Sequence, residues 1–259
     1  MKTGCCGNSR NYDQIRSMGY DYAELSGAEL MSLSEEDFRA FAAHVKEAGF
    51  PVLGINAYCS GEHPLVGPGF SEAGTADYAK ELCRRAAELG VRTIGVGAPA
   101  ARRLPPGYSA KTADSQMKTA LRLIAAEAAP YGITVLLEAL HSGLCEYLNH
   151  TEEAAELVKE LALPNLWLVY DYYHAALMGE DFASMHRVMP LVRHLHYSTE
   201  LGDGRRGYVT EEAFPEFSLY VDEALEDGYG GNISVEADES LLLRDGPLCA
   251  ELMKKAAEE

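Results

Sequence analysis

The chain has 259 residues, 47% of them hydrophobic, and a formal net charge of -18. That length supports one large core or two small domains. The acidic surface it implies repels phosphate backbones and anionic lipid, so neither nucleic acid nor membrane is expected as a partner. No apolar run approaches the ~20 residues that span a bilayer, and the first residues, "MKTGCCGNSR", lack the apolar region of a secretory signal.

Strand-like and helix-like runs alternate along the chain. "KTGCCG" reads as a strand and "NYDQIRSMG" as a short helix, followed by the strand "YAELSG". The helix "SEEDFRAFAAHVKEAG" opens on Ser34 with Asp37 three residues on, a capping box, and closes on Gly49. The strand "PVLGINAYC" leads to the helix "TADYAKELCRRAAELG", and "VRTIGVGA" to "TADSQMKTALRLIAAEAAPYG". Four further pairs complete the chain: "TVLLEAL" with "TEEAAELVKELAL", "LWLVYDYYH" with "DFASMHRVMPLV", "RHLHYST" with "TEEAFPEFSLYVDEALEDG", and "NISVEAD" with "GPLCAELMKKAAEE". Eight strand–helix pairs in about 250 residues is the pattern of a single (β/α)8 TIM barrel, one domain over residues 1–259. A doubly wound open sheet would announce a Gly-rich turn after its first strand, and "GCCGNS" is not G-x-G-x-x-G. Three long loops, residues 60–74, 98–110 and 199–209, all follow strands, where a barrel builds its active-site rim.

Each of the last four strands ends on a polar residue: Glu138, Asp171, His196 and Glu236. Alternation turns Leu137, Tyr170, Leu195 and Val235 outward and these four into the mouth. Three carboxylates aimed at one point repel unless some are neutral or a cation joins them. Three hard carboxylates and one imidazole suit a single divalent ion, with Mn2+ or Mg2+ the best match, then Co2+, and Zn2+ after them. A buried polar network without metal is the competing structural reading.

Essentially the whole chain, most clearly from Thr134 to Asp238, resembles the xylose isomerase-like sugar isomerases and epimerases, which include ketose 3-epimerases and hydroxypyruvate isomerase. "LLEALHSGLCEYLNHTEEAAELV" is similar to the family's Glu strand, "LVYDYYHAAL" to its D-x-x-H, "HLHYST" to its H-x-H strand and "SVEA" to its final Glu strand. The resemblance implies that Glu138, Asp171, His196 and Glu236 hold one metal ion. It implies that Glu138 and Glu236 act as acid and base, and that His174 contacts a substrate oxygen. The reaction implied is proton abstraction beside a carbonyl, through a metal-stabilised enediolate, in a small carbohydrate or keto-sugar. A homodimer is implied in the same way. The sequence departs from the family where His141 stands in place of an Asn, and where "STELGDGRRGY" replaces an Arg and P-G-x-G turn. Arg205 is taken as the substrate-binding arginine.

Other readings use the same residues. A keto-inositol dehydratase would share the metal site and the enolisation, and a catalytically inactive sugar-binding barrel would keep the fold alone. A trinuclear-zinc DNA-repair endonuclease would need more histidines and a basic face. His63, His141 and His150 fall in loops near the mouth, His194 one layer below His196, and His44 and His186 in helices. Tyr58, Tyr172 and Tyr173 line a sugar pocket or pack the barrel. "ARRLPP" and "GRRG" bind a sugar phosphate or are solvated loop charges. The six scattered cysteines, with no C-x-x-C pair, read as reduced thiols in a cytoplasmic protein.

Overall fold

A computed structural model describes residues 1–258. Eight parallel strands close into a barrel: β1 (Thr3–Gly7), β2 (Tyr22–Ser26), β3 (Val52–Asn56), β4 (Thr93–Val96), β5 (Thr134–Leu137), β6 (Leu166–Asp171), β7 (Val192–Tyr197) and β10 (Asn232–Val235). Two short strands, β8 (Thr199–Glu200) and β9 (Arg206–Gly207), form an antiparallel hairpin on the rim. The (β/α)8 barrel expected from the alternation is the fold observed. Among the described residues, no helix is long and apolar enough to cross a membrane.

The principal helices fall where the periodicity placed them: α3 (Glu35–Ala48), α4 (Glu72–Leu89), α5 (Ala110–Ala128), α6 (Thr151–Leu161), α8 (Phe182–Val188), α9 (Phe214–Glu226) and α10 (Leu242–Glu258), after the short α1 (Tyr12–Ser17). Ser34 caps α3 by accepting from the Asp37 N–H at 3.0 Å, and Gly49 ends it in the left-handed conformation. Two six-residue helices escaped the sequence reading, α2 (Gly27–Ser32) and α7 (Tyr172–Leu177). Both follow a strand directly, too short to show a helical period. The loop expected at 199–209 carries the β8–β9 hairpin. Helix α10 begins four residues earlier than expected and continues across Pro247.

The main apolar core lies between the outer faces of the strands and the helices, and includes Leu25, Ile55, Ile94, Leu137, Tyr170, Leu195 and Val235. The interior is different. A Cβ added at Gly4 would come within 2.2 Å of the Tyr22 ring, and one at Gly54 within 3.0 Å of the Glu24 side chain. Glycines on β1 and β3 thus vacate volume that a tyrosine and a glutamate on β2 fill. The Tyr22 hydroxyl lies 2.9 Å from Ser234 Oγ, so the floor of the barrel is polar as well as packed. Gly4→Ala should therefore destabilise the barrel by about 1–3 kcal/mol through overpacking, measured by urea unfolding. An unchanged midpoint would contradict this account of the floor.

Candidate metal centre

Glu138 follows the last residue of β5, Asp171 ends β6, His196 lies near the end of β7, and Glu236 follows β10. These four strands are neighbours in the barrel, and Asp171 and His196 are paired in register. One donor atom from each of the four residues falls within 4.8 Å of the others. Glu138, Asp171 and His196 are buried, and a quarter of the Glu236 side chain is exposed.

His196 has a definite orientation. Its Nε2 lies 3.1 Å from Glu24 Oε1, while its Nδ1 faces Glu236 Oε2 at 3.3 Å and Glu138 Oε1 and Asp171 Oδ2 at 3.9 Å each. Nδ1 and Glu138 Oε1 are both buried without a hydrogen-bond partner. Such orphaned atoms are costly unless something fills the space between them. Three carboxylates and an imidazole with unmet acceptors fit one divalent cation.

Asp171 has two roles. Its Oδ1 accepts from the Tyr173 N–H at 2.9 Å and caps α7, while Oδ2 faces the cluster. One turn on, His174 Nε2 lies 3.8 Å from both Asp171 Oδ2 and Glu138 Oε1. The direct passage from strand to helix makes that D-x-x-H spacing work, because positions i and i+3 share a helix face.

The arginine at the site is Arg206. Arg205, the residue chosen from sequence, is half exposed and pairs with Asp203 at 2.7 Å. Its neighbour Arg206, the first residue of β9, points the other way, into the mouth. Arg206 Nη2 donates to Asp171 Oδ2 at 2.5 Å, Nη1 lies 3.2 Å from Glu236 Oε2, and Nε donates to Ser198 Oγ at 2.8 Å. The guanidinium also sits 4.8 Å from the centre of the Tyr173 ring.

Two further residues went unread in the sequence. Glu24, inside β2, is buried and ties the floor to the site. Its Oε2 accepts from His194 Nε2 at 2.9 Å and Ser234 Oγ at 2.6 Å, and its Oε1 faces His196. Asn56, at the end of β3, donates to Glu236 Oε1 at 3.1 Å. The only sequence signal for either was a polar residue on an inward strand position.

Cys6, Glu24 and His196 also lie close enough to form a metal-ligand grouping. Both Glu24 oxygens are already engaged, and burial holds the Cys6 thiol well above its ordinary pKa. This set supports His196 from below. A carboxylate bonded to the far nitrogen of a ligating histidine fixes its tautomer and raises its basicity.

Electrostatics separate the carboxylates. Burial raises the Glu138 pKa to about 7; the His196 contact opposes this, and repulsion from Glu236 and Asp171 adds to it. Burial acts in the same direction on Asp171 and Glu236, yet the Arg206 charge holds both below their ordinary values. Burial also lowers His174 to about 4, so its imidazole is neutral at pH 7.

The remaining candidates divide clearly. His141 lies beside His174, the two rings tilted by 32° with centres 5.2 Å apart. His63 packs on Tyr78, and His150 faces Glu180 at the start of α6. His44 and His186 are surface residues paired with Asp13 and Asp227. Tyr58 is buried in the core, whereas Tyr172 and Tyr173 line an adjacent cleft of about 680 Å³. All six cysteines are free and buried.

Solved structures share this fold. A 3-keto-D-glucoside 4-epimerase from E. coli superposes with a TM-score of 0.76 at 20% identity, covering 100% of both chains. A D-psicose 3-epimerase from Clostridium cellulolyticum H10, solved with D-tagatose, gives 0.80 at 16% identity over 99% of each chain. The IOLI protein with a bound zinc atom gives 0.73 at 18% identity over 99% of this chain and 96% of that one. No curated protein sequence matches the chain significantly.

Two measurements test the site. Glu24→Gln should weaken Mn2+ binding by about 10–100-fold, the usual effect of losing such a supporting carboxylate; calorimetric titration giving wild-type affinity would refute the support role. With chelator present, the folded protein binds the Glu138 proton more tightly than the unfolded chain, whose carboxyl has the ordinary value of 4.5. Stability from this group is therefore full below pH 4.5 and is lost as pH rises through about 7. Glu138→Gln should gain stability relative to wild type across that window, read by urea unfolding at several pH values.

The family model for the xylose isomerase-like TIM barrel matches residues 12–253, and the chain belongs to that family.

Proposed function

We propose that the protein is a divalent-metal-dependent carbohydrate isomerase or epimerase. The observation that carries this reading is the convergence of four donors at the barrel mouth, with Glu138 Oε1 and His196 Nδ1 buried and unpartnered. Glu138, Asp171, His196 and Glu236 would hold the ion, with Mn2+ the best match to their chemistry. The bound ion would supply Lewis-acid polarisation of a substrate carbonyl.

The chain's own residues do the rest. Glu138 and Glu236 follow the two outermost of the four strands, which supports an approach to the substrate from opposite sides. One takes the proton from the carbon beside the carbonyl, and the other returns one. Return to the opposite face of the same carbon inverts it, while return to the neighbouring carbon exchanges aldose and ketose. The unequal environments of the two glutamates favour this division of labour. Neutral His174 donates to a substrate oxygen, and Arg206 stabilises negative charge developing at the mouth. The enzymes named above, a 3-keto-D-glucoside 4-epimerase and a D-psicose 3-epimerase, suggest a ketose or keto-sugar substrate. The acidic composition and the buried thiols fit a cytoplasmic enzyme without nucleic-acid or membrane partners. A homodimer is part of the same reading.

The test is a panel of ketoses, aldoses and keto-inositols incubated with the Mn2+-loaded protein in D2O and followed by NMR. At least one compound should take up deuterium beside its carbonyl. Glu138→Gln and Glu236→Gln should each slow uptake by about 10²-fold or more. No uptake by any compound, or near-wild-type exchange in both variants, would refute the assignment. Uptake accompanied by loss of water would identify a dehydratase instead.

A further inference from the structure

The sequence leaves "ARRLPP" as either a phosphate-binding patch or a pair of solvated charges. The structure fits neither for its first arginine. Arg102 is completely buried, 0% exposed, and is among the largest side chains so enclosed. The route of the loop after β4 puts it there. Ala98 adopts a left-handed conformation, φ 49° and ψ 63°, which is unfavourable for a residue with a Cβ. A 3-10 turn over Pro99–Arg102 follows and brings the arginine back beneath the rim. The loop after β3 closes over it, with the Leu65 N–H donating to the Ala101 carbonyl at 2.9 Å.

Inside, Arg102 Nη2 donates to two carbonyls, Val96 at 2.8 Å and Glu138 at 2.7 Å. Its Nε and Nη1 have no partner. A buried guanidinium with two unmet donors is a poor stabilising device, and an apolar side chain of similar volume would generally serve the fold better. What the group does achieve is local. Val96 ends β4, Glu138 follows β5, and the Glu138 N–H also donates to the Val96 carbonyl at 3.3 Å. The same loop shapes the other side of Glu138. A Cβ added at Gly97 would lie 2.2 Å from Glu138 Oε2, so the carboxylate rests in space that only glycine leaves open.

We propose that Arg102 is a positioning residue for Glu138: by clamping the Val96 and Glu138 carbonyls it fixes the backbone from which the Glu138 carboxylate enters the metal centre. This role rests on the reading of Glu138 as a metal ligand. Arg102 reaches no substrate and acts only through Glu138.

The experiment measures Mn2+ affinity by electron paramagnetic resonance titration of Arg102→Met, Arg102→Lys and the exposed neighbour Arg103→Ala. Melting temperature in chelator is measured in parallel. Arg102→Met should bind Mn2+ about 10–100-fold more weakly than wild type. Arg102→Lys should recover part of that loss, since its ammonium carries donors enough for both carbonyls, as Nη2 does, but on a shorter and more flexible stem. Arg103→Ala should bind as wild type. A crystal structure of Arg102→Lys should show the Glu138 carboxylate displaced. Lowered melting temperature with wild-type Mn2+ affinity would make Arg102 structural only and overturn the proposal. Should Arg102→Met fail to fold, Arg102→Lys decides alone, and wild-type affinity there overturns it equally. Absence of Mn2+ binding by the wild-type protein would instead remove the metal-centre reading itself, a distinct result.

Discussion

Four neighbouring strands deliver three carboxylates and an imidazole to one point, in surroundings from which water is largely excluded. Like charges held that closely raise each other's cost of ionisation, and burial adds to it. Much of the nearby architecture answers this problem. Arg206 bonds Asp171 and approaches Glu236 from the rim, Asn56 donates to Glu236, and Glu24 holds His196 from the floor. Glu138 receives least relief, and the pKa of about 7 follows from that. The site is thus graded, with one carboxylate near the balance between protonated and ionised and two firmly charged.

The grading reaches down through the barrel. His196, Glu24, His194, Ser234 and Tyr22 form a continuous hydrogen-bonded column across β7, β2 and β10. Glycines on β1 and β3 make room for it. An ordinary barrel interior of branched aliphatic side chains would pack as well, but it would leave the imidazole free to rotate and its far nitrogen unbonded. Here the floor aims Nδ1 upward, so packing and chemistry are served by the same residues.

The barrel and the four central residues were legible in the sequence because both depend on period. Eight alternations of strand and helix define the architecture, and a two-residue alternation at strand ends decides which side chains face the mouth. What escaped reading depends on three-dimensional closure. Glu24 sits mid-strand in "YAELS", where an inward glutamate and an outward one look alike. Arg102 looks like a loop charge until Ala98 turns the chain back on itself. The choice between Arg205 and Arg206 hangs on the register of a two-residue-per-strand hairpin, which no local pattern fixes. Asp171 is legible as a cluster residue but not as a cap, and its two oxygens face the helix and the cluster at once.

The β8–β9 hairpin has a consequence for how such a site diversifies. Its inward position is set by register alone, since Arg205 and Arg206 are adjacent and chemically identical. Slipping a strand by one residue exchanges its two faces. A one-residue length change in the exposed turn at Leu201–Gly204 therefore has two different results. A slip one way seats Arg205 in place of Arg206 and keeps an arginine at the mouth. A slip the other way seats Gly207 there and removes it, with the eight barrel strands and all four cluster residues unchanged. Surface turns accept such length changes readily. Specificity at this mouth can thus be retuned through loop length as well as through substitution, at little cost to the core.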